Sequence, residues 1–398
     1  MKILAFIPLE YAQHGEFWQR DLGLVILALR DLGHEALFVA LGTSHDDQKT
    51  YPLLLITYQT ASDPTWWSEQ DADMVILNTW SAPRHQGIRS AALASKSLVV
   101  EKLDTDGVKS PRIYPFHSLR RSWVSYDLTS PWHSKLRVWG EATARFLVTY
   151  LFPAALDRRM VRGMQHVPIY VAETPVASAR VRRFLRMYQA NPMPKVVTIP
   201  HPVQTDVMNL PEGIIKENVI ISVGRWNDAV KGWPLLRDTA RVFLHNRSNW
   251  TIKAIGKGAE VEGNALAQEY PGRFLMMGRL EHAELQHHLQ TAKIYFLPSH
   301  SETFNIAGAE ALCCGCSVVG PAQIPSSAFF ASHASGTVSH IRSPAHLADA
   351  LEAEAYEWNV NARCGKHISY TWTEIVGKSA VALKYMKLID ERLAIANH

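Results

Sequence analysis

The sequence predicts an α/β protein of two parallel-sheet domains, and three observations carry that prediction. The chain has 398 residues, enough for two domains of about 100–200 residues each. Short apolar runs alternate with helical patterns along most of its length, as parallel α/β sheets require. Between two strand signals, Pro200 to Asn218 carries three prolines and a glycine and reads as a linker between two α/β halves. The composition, 47% hydrophobic and 20% charged, is that of a globular chain and excludes a mostly disordered one. No repeat of about 20–50 residues appears, which argues against a solenoid.

The elements follow in order. Lys2–Leu9 reads as a strand and Phe17–Leu32 as a helix, with Leu24, Leu27, Ala28 and Leu32 near helical spacing and Gly33 as the stop. Further strands are expected at Glu35–Leu41, Met74–Leu77, Ser97–Leu103 and Val196–Ile199. The second half offers Val219–Val223, Thr251–Ile255, Arg273–Met276, Ile294–Leu297 and Ser317–Val319. A helical pattern from Thr373 to about Ala396 ends the chain. The first apolar run stops at Glu10, too soon for a secretory signal. The apolar stretch Ala142–Leu156 holds Arg145 and Pro153 and falls short of the ~18–20 apolar residues of a membrane span. A soluble cytoplasmic protein is expected.

Charge and cysteine usage exclude further classes. The net charge of +4 is too small to argue for nucleic acid. Of the four cysteines, Cys313, Cys314 and Cys316 lie in one "CCGC" cluster and Cys364 stands apart. That is neither a disulfide framework nor a two-plus-two zinc site; small buried residues ending a helix explain it. The basic excess concentrates between Lys109 and Met164, where ten Lys/Arg face three Asp/Glu with tryptophans and tyrosines interleaved. Such a mixture suits a membrane interface, and it equally suits a domain insertion with core aromatics and surface cations.

The common nucleotide and hydrolase fingerprints fail. "GKGAEVEG", Gly256–Gly263, breaks the G-x-G-x-x-G spacing, and the chain has no G-x-x-x-x-G-K-[ST], H-E-x-x-H or G-x-S-x-G. Two segments remain. "FLPSHSETFNIAGAEALCCGCSVVGP", Phe296–Pro321, reads as a strand, a polar loop and a helix from about Asn305 to Gly315. Its first helical N–H groups form an anion site. Glu302 and Glu310 beside such a site need partners of their own, and sugar hydroxyls suit carboxylates. "VIISVGRWNDAVKGWPLL", Val219–Leu236, sends Arg225 and Lys231 from the carboxyl end of a strand, where open α/β sheets bind ligands. A planar fork and a point charge together suit a diphosphate.

These segments resemble the nucleotide-sugar-binding domain of retaining glycosyltransferases of family 4, which have the GT-B fold. The matching pieces are Gly224-Arg225 and Lys231-Gly232, then "IGKGAE", then "FLMMGRLEHAEL", then Glu302, Phe304, Asn305 and Glu310 in E-x7-E spacing. Their order and spacing agree over about Val219 to Pro344. The resemblance implies two Rossmann-like parallel-sheet domains facing a cleft, with the C-terminal helix crossing back to the first. Residues 1–204 plus 372–398 would form the acceptor-side domain and 205–371 the nucleotide-sugar domain.

The resemblance also implies roles. Arg225 and Lys231 would neutralise the diphosphate, with Gly224 and Gly256 in the glycine turns around it. Glu310 would bind the ribose, while Glu302, Thr303, Phe304, Asn305 and Ile306 would hold the transferred sugar. Arg279 and Leu280 would frame the base. In the first half Gly15 is the candidate for the phosphate-approaching turn, without the usual double glycine. Where the family places a sugar-contacting histidine, this chain reads "SLVVEKLDTDGV", leaving Asp104 or Asp106 as candidates. His14, His85 and His201 are looser ones, and His201-Pro202 replaces the usual Asn-Gly turn.

The implied activity is retaining, metal-independent transfer of a hexose from a nucleotide-sugar, UDP-sugar favoured, to a glycan or lipid-linked acceptor. The nucleotide-sugar is a substrate, and no cofactor or metal is expected. A non-catalytic binding relative and a nucleotide-sugar 2-epimerase of the same fold are the alternatives. The implied place is the cytoplasm, with peripheral contact to the inner face of an anionic membrane as a further expectation.

Overall fold

A computed structural model describes residues 1–8, 15–19, 21–42, 51–110, 119, 123–151 and 153–396. The chain divides into two units: Met1–Ile113, Phe152–Gln204 and Ile375–His398 form the first, and Tyr114–Leu151 and Thr205–Glu374 the second.

In the first unit, strands β1 (Lys2–Ile7), β2 (Glu35–Leu41), β3 (Leu53–Ile56), β4 (Met74–Leu77), β5 (Leu98–Lys102), β6 (Ile169–Ala172) and β7 (Lys195–Thr198) form one parallel sheet. Its order is β3-β2-β1-β4-β5-β6-β7. Near-continuous burial of β1 and β4 explains why they read as apolar runs, and β5 is as buried although it ends on Glu101 and Lys102. The expected Phe17–Leu32 helix is two pieces, Gly15–Trp18 and Asp21–Asp31, because Asp21 takes the left-handed conformation (φ 55°).

The expected C-terminal helix is also split, into Gly365–Val376 and Lys378–Ala396. Between them the backbone pairs with Val203: its N–H donates to the Val376 carbonyl at 2.7 Å and its carbonyl accepts from Lys378 N–H at 3.0 Å. The second piece returns Val381, Tyr385, Leu388 and Ile389 to the first unit's core, with Leu22, Val25 and Leu29 of the Asp21–Asp31 helix.

In the second unit, β8 (Glu217–Val223), β9 (Thr251–Ile255), β10 (Phe274–Gly278), β11 (Ala292–Phe296), β12 (Ser317–Pro321) and β13 (Gly336–Ser339) form a parallel sheet in the order β10-β9-β8-β11-β12-β13. Chain order reverses between β8 and β11, the switch point where such sheets take ligands beyond their carboxyl ends. Cys313, Cys314 and Cys316 are buried where the Ile306–Cys313 helix ends, as the cysteine pattern predicted, and Cys364 is exposed.

One segment sits elsewhere than the sequence placed it. Residues 114–151 group with the second unit rather than the first. The physical reason is a set of bonds to the loop after β8. Leu128 N–H donates to the Asn227 carbonyl at 2.5 Å, and Ala229 N–H to the Tyr126 carbonyl at 3.0 Å. Asn227 Nδ2 donates to Asp127 Oδ2 at 2.7 Å. Lys135, one of the basic residues noted above, donates to the Leu128 carbonyl and lies over the Tyr126 ring. Arg112, Tyr114, Arg120 and Arg121 lie outside the described residues, as do the side chains of Arg145 and Tyr150.

Candidate functional site

The loops after β8 and β11 converge on Lys231. Asp228 caps a short turn at Ala229–Lys231 through a 3.0 Å bond from Val230 N–H. His300 N–H, from the loop after β11, donates to the Val230 carbonyl at 2.7 Å. Gly232 then turns left-handed (φ 73°) against the carbonyl oxygen of Pro298, which a Cβ there would overlap. The helix Trp233–Asn246 starts from that turn with Pro234 in its first turn.

Lys231 Nζ donates to Glu302 Oε1 at 2.8 Å, and Ser299 Oγ donates to the same oxygen at 2.7 Å. The side chains are 25% and 11% exposed. Glu302 beside an anion site needs a partner, and within the chain that partner is Lys231. Arg225 differs. Its side chain is 78% exposed and only approaches Asp228, at 3.6 Å. Lys231 is therefore held in place before any ligand arrives, whereas Arg225 has to be ordered by one.

Beyond Glu302 the chain passes Thr303 and buried Phe304, which packs on Phe330 at 5.3 Å between ring centroids. Asn305 takes a left-handed conformation and caps the Ile306–Cys313 helix, its Oδ1 accepting from Gly308 N–H at 3.1 Å. Tyr295 OH, from β11, donates to the same oxygen at 3.3 Å. Ile306 opens the helix and Glu310 sits half-buried one turn inside it. Gly256 follows β9, where a Cβ would strike the carbonyl oxygen of Gly224. That close approach needs glycine at 256, whereas a Cβ at Gly224 would meet the Trp226 ring. Arg279 and Leu280 follow β10, Arg279 exposed and Leu280 half-buried. The structure thus gathers Gly224, Lys231, Gly256, Glu302 and Asn305 at the carboxyl ends of β8, β9 and β11. A cavity of about 510 Å³ beside Arg225 is walled by Ser125, Tyr126, Asp127 and Asn227, residues that the sequence analysis did not connect with the site.

In the first unit Gly15 begins the short Gly15–Trp18 helix, and His14 lies outside the described residues. His85 is buried after β4, where burial and the adjacent Arg84 and Arg89 hold its imidazole below its ordinary range. Asp104 and Asp106 part company. Asp106 is buried and accepts Val108 N–H at 3.0 Å, closing its own turn. Asp104 joins a group of charges: Asp21, Lys102 and Glu173, which sequence reasoning missed, and His201, one of its looser candidates. Lys102 Nζ lies 3.1 Å from Asp21 Oδ1 and 3.4 Å from Glu173 Oε1. His201 puts Nδ1 3.2 Å from Asp21 and Nε2 3.2 Å from Asp104 Oδ1.

Burial and the Lys102 charge both work against a charged His201, yet Asp21 and Asp104 outweigh them and push the imidazole up to about 9. Burial alone would raise Asp104, but Lys102 and His201 hold its carboxyl below the ordinary range. Burial and the neighbouring Asp104 carboxylate raise Glu173 against the pull of Lys102. The donor atoms of Asp104, Glu173 and His201 all lie within 4.8 Å of one another. The Lys102 ammonium stands among them, so the site's demand for a cation is met by the chain itself. The one sequence signal was a Glu-Lys pair closing an otherwise apolar strand, "SLVVEK".

The architecture, two parallel sheets with the 3-2-1-4 order, is the GT-B fold, and solved structures of that fold agree. HepE of Anabaena in complex with UDP superposes with TM-score 0.65 at 13% identity, over 98% of this chain and 100% of that one. Sucrose-phosphate synthase from Thermosynechococcus elongatus gives TM-score 0.61 at 14% identity, over 99% and 100%. WaaG, a glycosyltransferase involved in lipopolysaccharide biosynthesis, gives 0.53 at 14% identity, over 97% and 99%. No curated protein sequence matches the chain. Residues 211–368 match the family Glycosyl transferases group 1. That segment holds Gly224, Lys231, Glu302 and Glu310.

Proposed function

We propose that the chain is a retaining hexosyltransferase that takes its sugar from a nucleotide-sugar, with UDP as the favoured nucleotide, and needs no metal. The observation that carries this reading is the Lys231–Glu302 pair at the β8/β11 switch point, inside the segment that matches the family. Lys231 and the first N–H groups of the Ile306–Cys313 helix offer fixed positive charge to a leaving diphosphate, and Arg225 adds a mobile cation. Charge grows on the diphosphate as the glycosidic bond breaks, so these groups act most strongly in the transition state. The departing phosphate oxygen takes the proton of the acceptor hydroxyl on the same face of the sugar, which retains the configuration. Glu310 is assigned to the ribose hydroxyls and Glu302 with residues 303–306 to the sugar. UDP complexes of HepE support the choice of nucleotide.

A screen of UDP- and GDP-sugars for thermal stabilisation tests this, since a ligand of the native state raises its stability by RT ln(1 + [L]/Kd). A UDP-sugar should give the largest rise in Tm. Stabilisation by none of them at millimolar concentration would contradict the reading.

A glycan or lipid-linked acceptor and peripheral membrane contact belong to the same proposal. No helix among the described residues is long and apolar enough to cross a membrane. The support is an exposed stripe on the Trp132–Leu151 helix: Trp132, Leu136, Trp139 and Leu147 recur at helical spacing and are 40–72% exposed. Flotation should recover the chain with anionic vesicles. Failure to bind anionic or neutral vesicles at low salt would leave a soluble acceptor.

A further inference from the structure

The sheet of the first unit has a second edge, where its strands begin. The amino ends of β5, β6 and β7, at Leu98, Ile169 and Lys195, lie side by side there with β6 in the middle. The Lys378–Ala396 helix faces them with Leu388, Glu391 and Arg392, which share one helix face at i, i+3 and i+4. Two polar straps tie the end of this helix to the sheet. On the β7 side Lys195 Nζ donates to Glu391 Oε2 at 2.5 Å. On the β5 side Arg392 Nη2 donates to the Lys96 carbonyl at 2.9 Å. Between the straps, at the start of β6, lies a cavity of about 600 Å³. Small-molecule sites span about 300–1,000 Å³.

The walls of the cavity sort by depth. Leu98, Ile169 and Leu388 are buried members of the first unit's apolar core, and they form the floor. Lys195 and Glu391 are 52% and 42% exposed, and Arg392 and His166 are exposed beside them at the mouth. Protein interiors close-pack, so a hollow of this size against core side chains is unusual. Water gains few hydrogen bonds from hydrocarbon walls, and an apolar guest gains by covering them.

The mouth defines the other half of the ligand. Two cations, Lys195 and Arg392, stand against one carboxylate, Glu391. Lys195 is shared with Glu391, whereas the bond to Lys96 engages one of the five N–H groups of Arg392. A guanidinium fork grips a carboxylate through two parallel bonds. One surplus positive charge suits a singly charged head better than a doubly charged phosphate. The depth order fixes the direction of entry, apolar body first and head last. A bilayer headgroup would arrive the other way round and meet hydrocarbon where it needs donors.

We propose that this cavity binds an amphipathic monocarboxylate, its apolar body over Leu98, Ile169 and Leu388 and its carboxylate on Arg392 and Lys195. The site is built from first-unit residues alone and is independent of the donor-site reading above. Such a ligand bridges the last helix to the strand ends, so binding should stabilise the native chain.

Calorimetry with decanoate, kept below its micellar concentration, tests this. The wild type should bind it at one site. Decanol, which lacks the charge, should bind at least about tenfold more weakly, the lower limit for losing a hydrogen bond to a charged group. Acetate, which lacks the apolar body, should not bind measurably. Arg392→Gln and Lys195→Gln should each weaken decanoate by about tenfold. Ser95→Trp, which fills the cavity from the β5 side, should abolish binding. Lys195 and Arg392 are exposed and Ser95 is half-buried, so the urea midpoints should stay close to the wild type, and decanoate should raise Tm most in the wild type.

No binding of decanoate by the wild type, or equal binding by the wild type and all three variants, would overturn the proposal. Tighter binding of decyl phosphate than of decanoate would overturn the singly charged head. Flotation with phosphatidylglycerol vesicles that is lost in Arg392→Gln and Lys195→Gln, without decanoate binding, would mean head-first docking on a bilayer and would overturn it as well.

Discussion

Replacing Lys231 by alanine tests how the donor site is built, because this residue serves the fold and the reaction together. In the folded chain its ammonium lies 2.8 Å from Glu302, with both side chains mostly shielded from water. The substitution leaves Glu302 with only the Ser299 hydroxyl among the described residues. A charge-assisted bond of this kind contributes about 1.5–3 kcal/mol, so Lys231→Ala should lower unfolding stability by about 2 kcal/mol. Much of that loss should vanish in the Lys231→Ala/Glu302→Ala double variant, where no carboxylate is stranded, and a double-mutant cycle in urea measures the coupling.

The same substitution removes a fixed donor to the developing diphosphate charge, and turnover at saturating donor should fall by about 10²–10³-fold. Additive stabilities within about 0.5 kcal/mol, together with near-wild-type turnover, would refute the placement of Lys231 against both Glu302 and the phosphates.

Other outcomes follow from the same geometry. Arg225→Ala should lose turnover by a similar 10²–10³-fold yet leave the unfolding midpoint unchanged, because the side chain is 78% exposed; a large stability loss would contradict this. Glu310→Ala should weaken UDP and UDP-sugar alike, whereas Glu302→Ala should spare UDP and damage transfer; calorimetry showing the reverse would exchange or remove their roles.

The His201 imidazole is raised from 6.5 to about 9 by its carboxylate neighbours. Its stabilising contribution is therefore complete below pH 6.5 and is lost as pH rises through about 9. At 1.36 kcal/mol per pH unit this is about 3 kcal/mol. Urea unfolding at pH 6.5 and 9.5 should show that loss in the wild type and not in His201→Gln.

Most strands and the donor-side loops were legible because their signals are local. Glu35–Leu41, Met74–Leu77 and Thr251–Ile255 are buried or nearly buried runs, and each strand ends where its apolar residues end. Lys231, Glu302 and Glu310 were found because they lie within or just outside short strand–loop–helix units, where spacing alone places them. Three strands escaped. Leu53–Ile56 and Ile169–Ala172 have four residues each, and Gly336–Ser339 is an edge strand of glycine, threonine, valine and serine with little apolar signal.

The breaks at Asp21 and Gly377 were hidden for another reason: the first is a left-handed residue and the second a backbone pairing with Val203, and neither alters the helical pattern of side chains. The buried charges around Asp104 had the weakest trace. Asp21 and His201 are 180 positions apart in the chain, and only the parallel sheet brings the ends of β5, β6 and β7 together. The 114–151 segment misled for a related reason. Its composition does not say which unit it joins, and Tyr126, Asp127 and Lys135 brace the Asn227–Ala229 loop of the second unit.

The central claim is that a nucleoside diphosphate sits on the loops after β8 and β11. A crystal structure of the chain soaked with UDP tests it most directly. The account predicts the diphosphate within hydrogen-bond distance of Lys231 Nζ and the first N–H groups of the Ile306–Cys313 helix, with the ribose hydroxyls on Glu310. UDP bound elsewhere on the chain, or a ribose turned away from Glu310 with the diphosphate out of reach of Lys231, would contradict it.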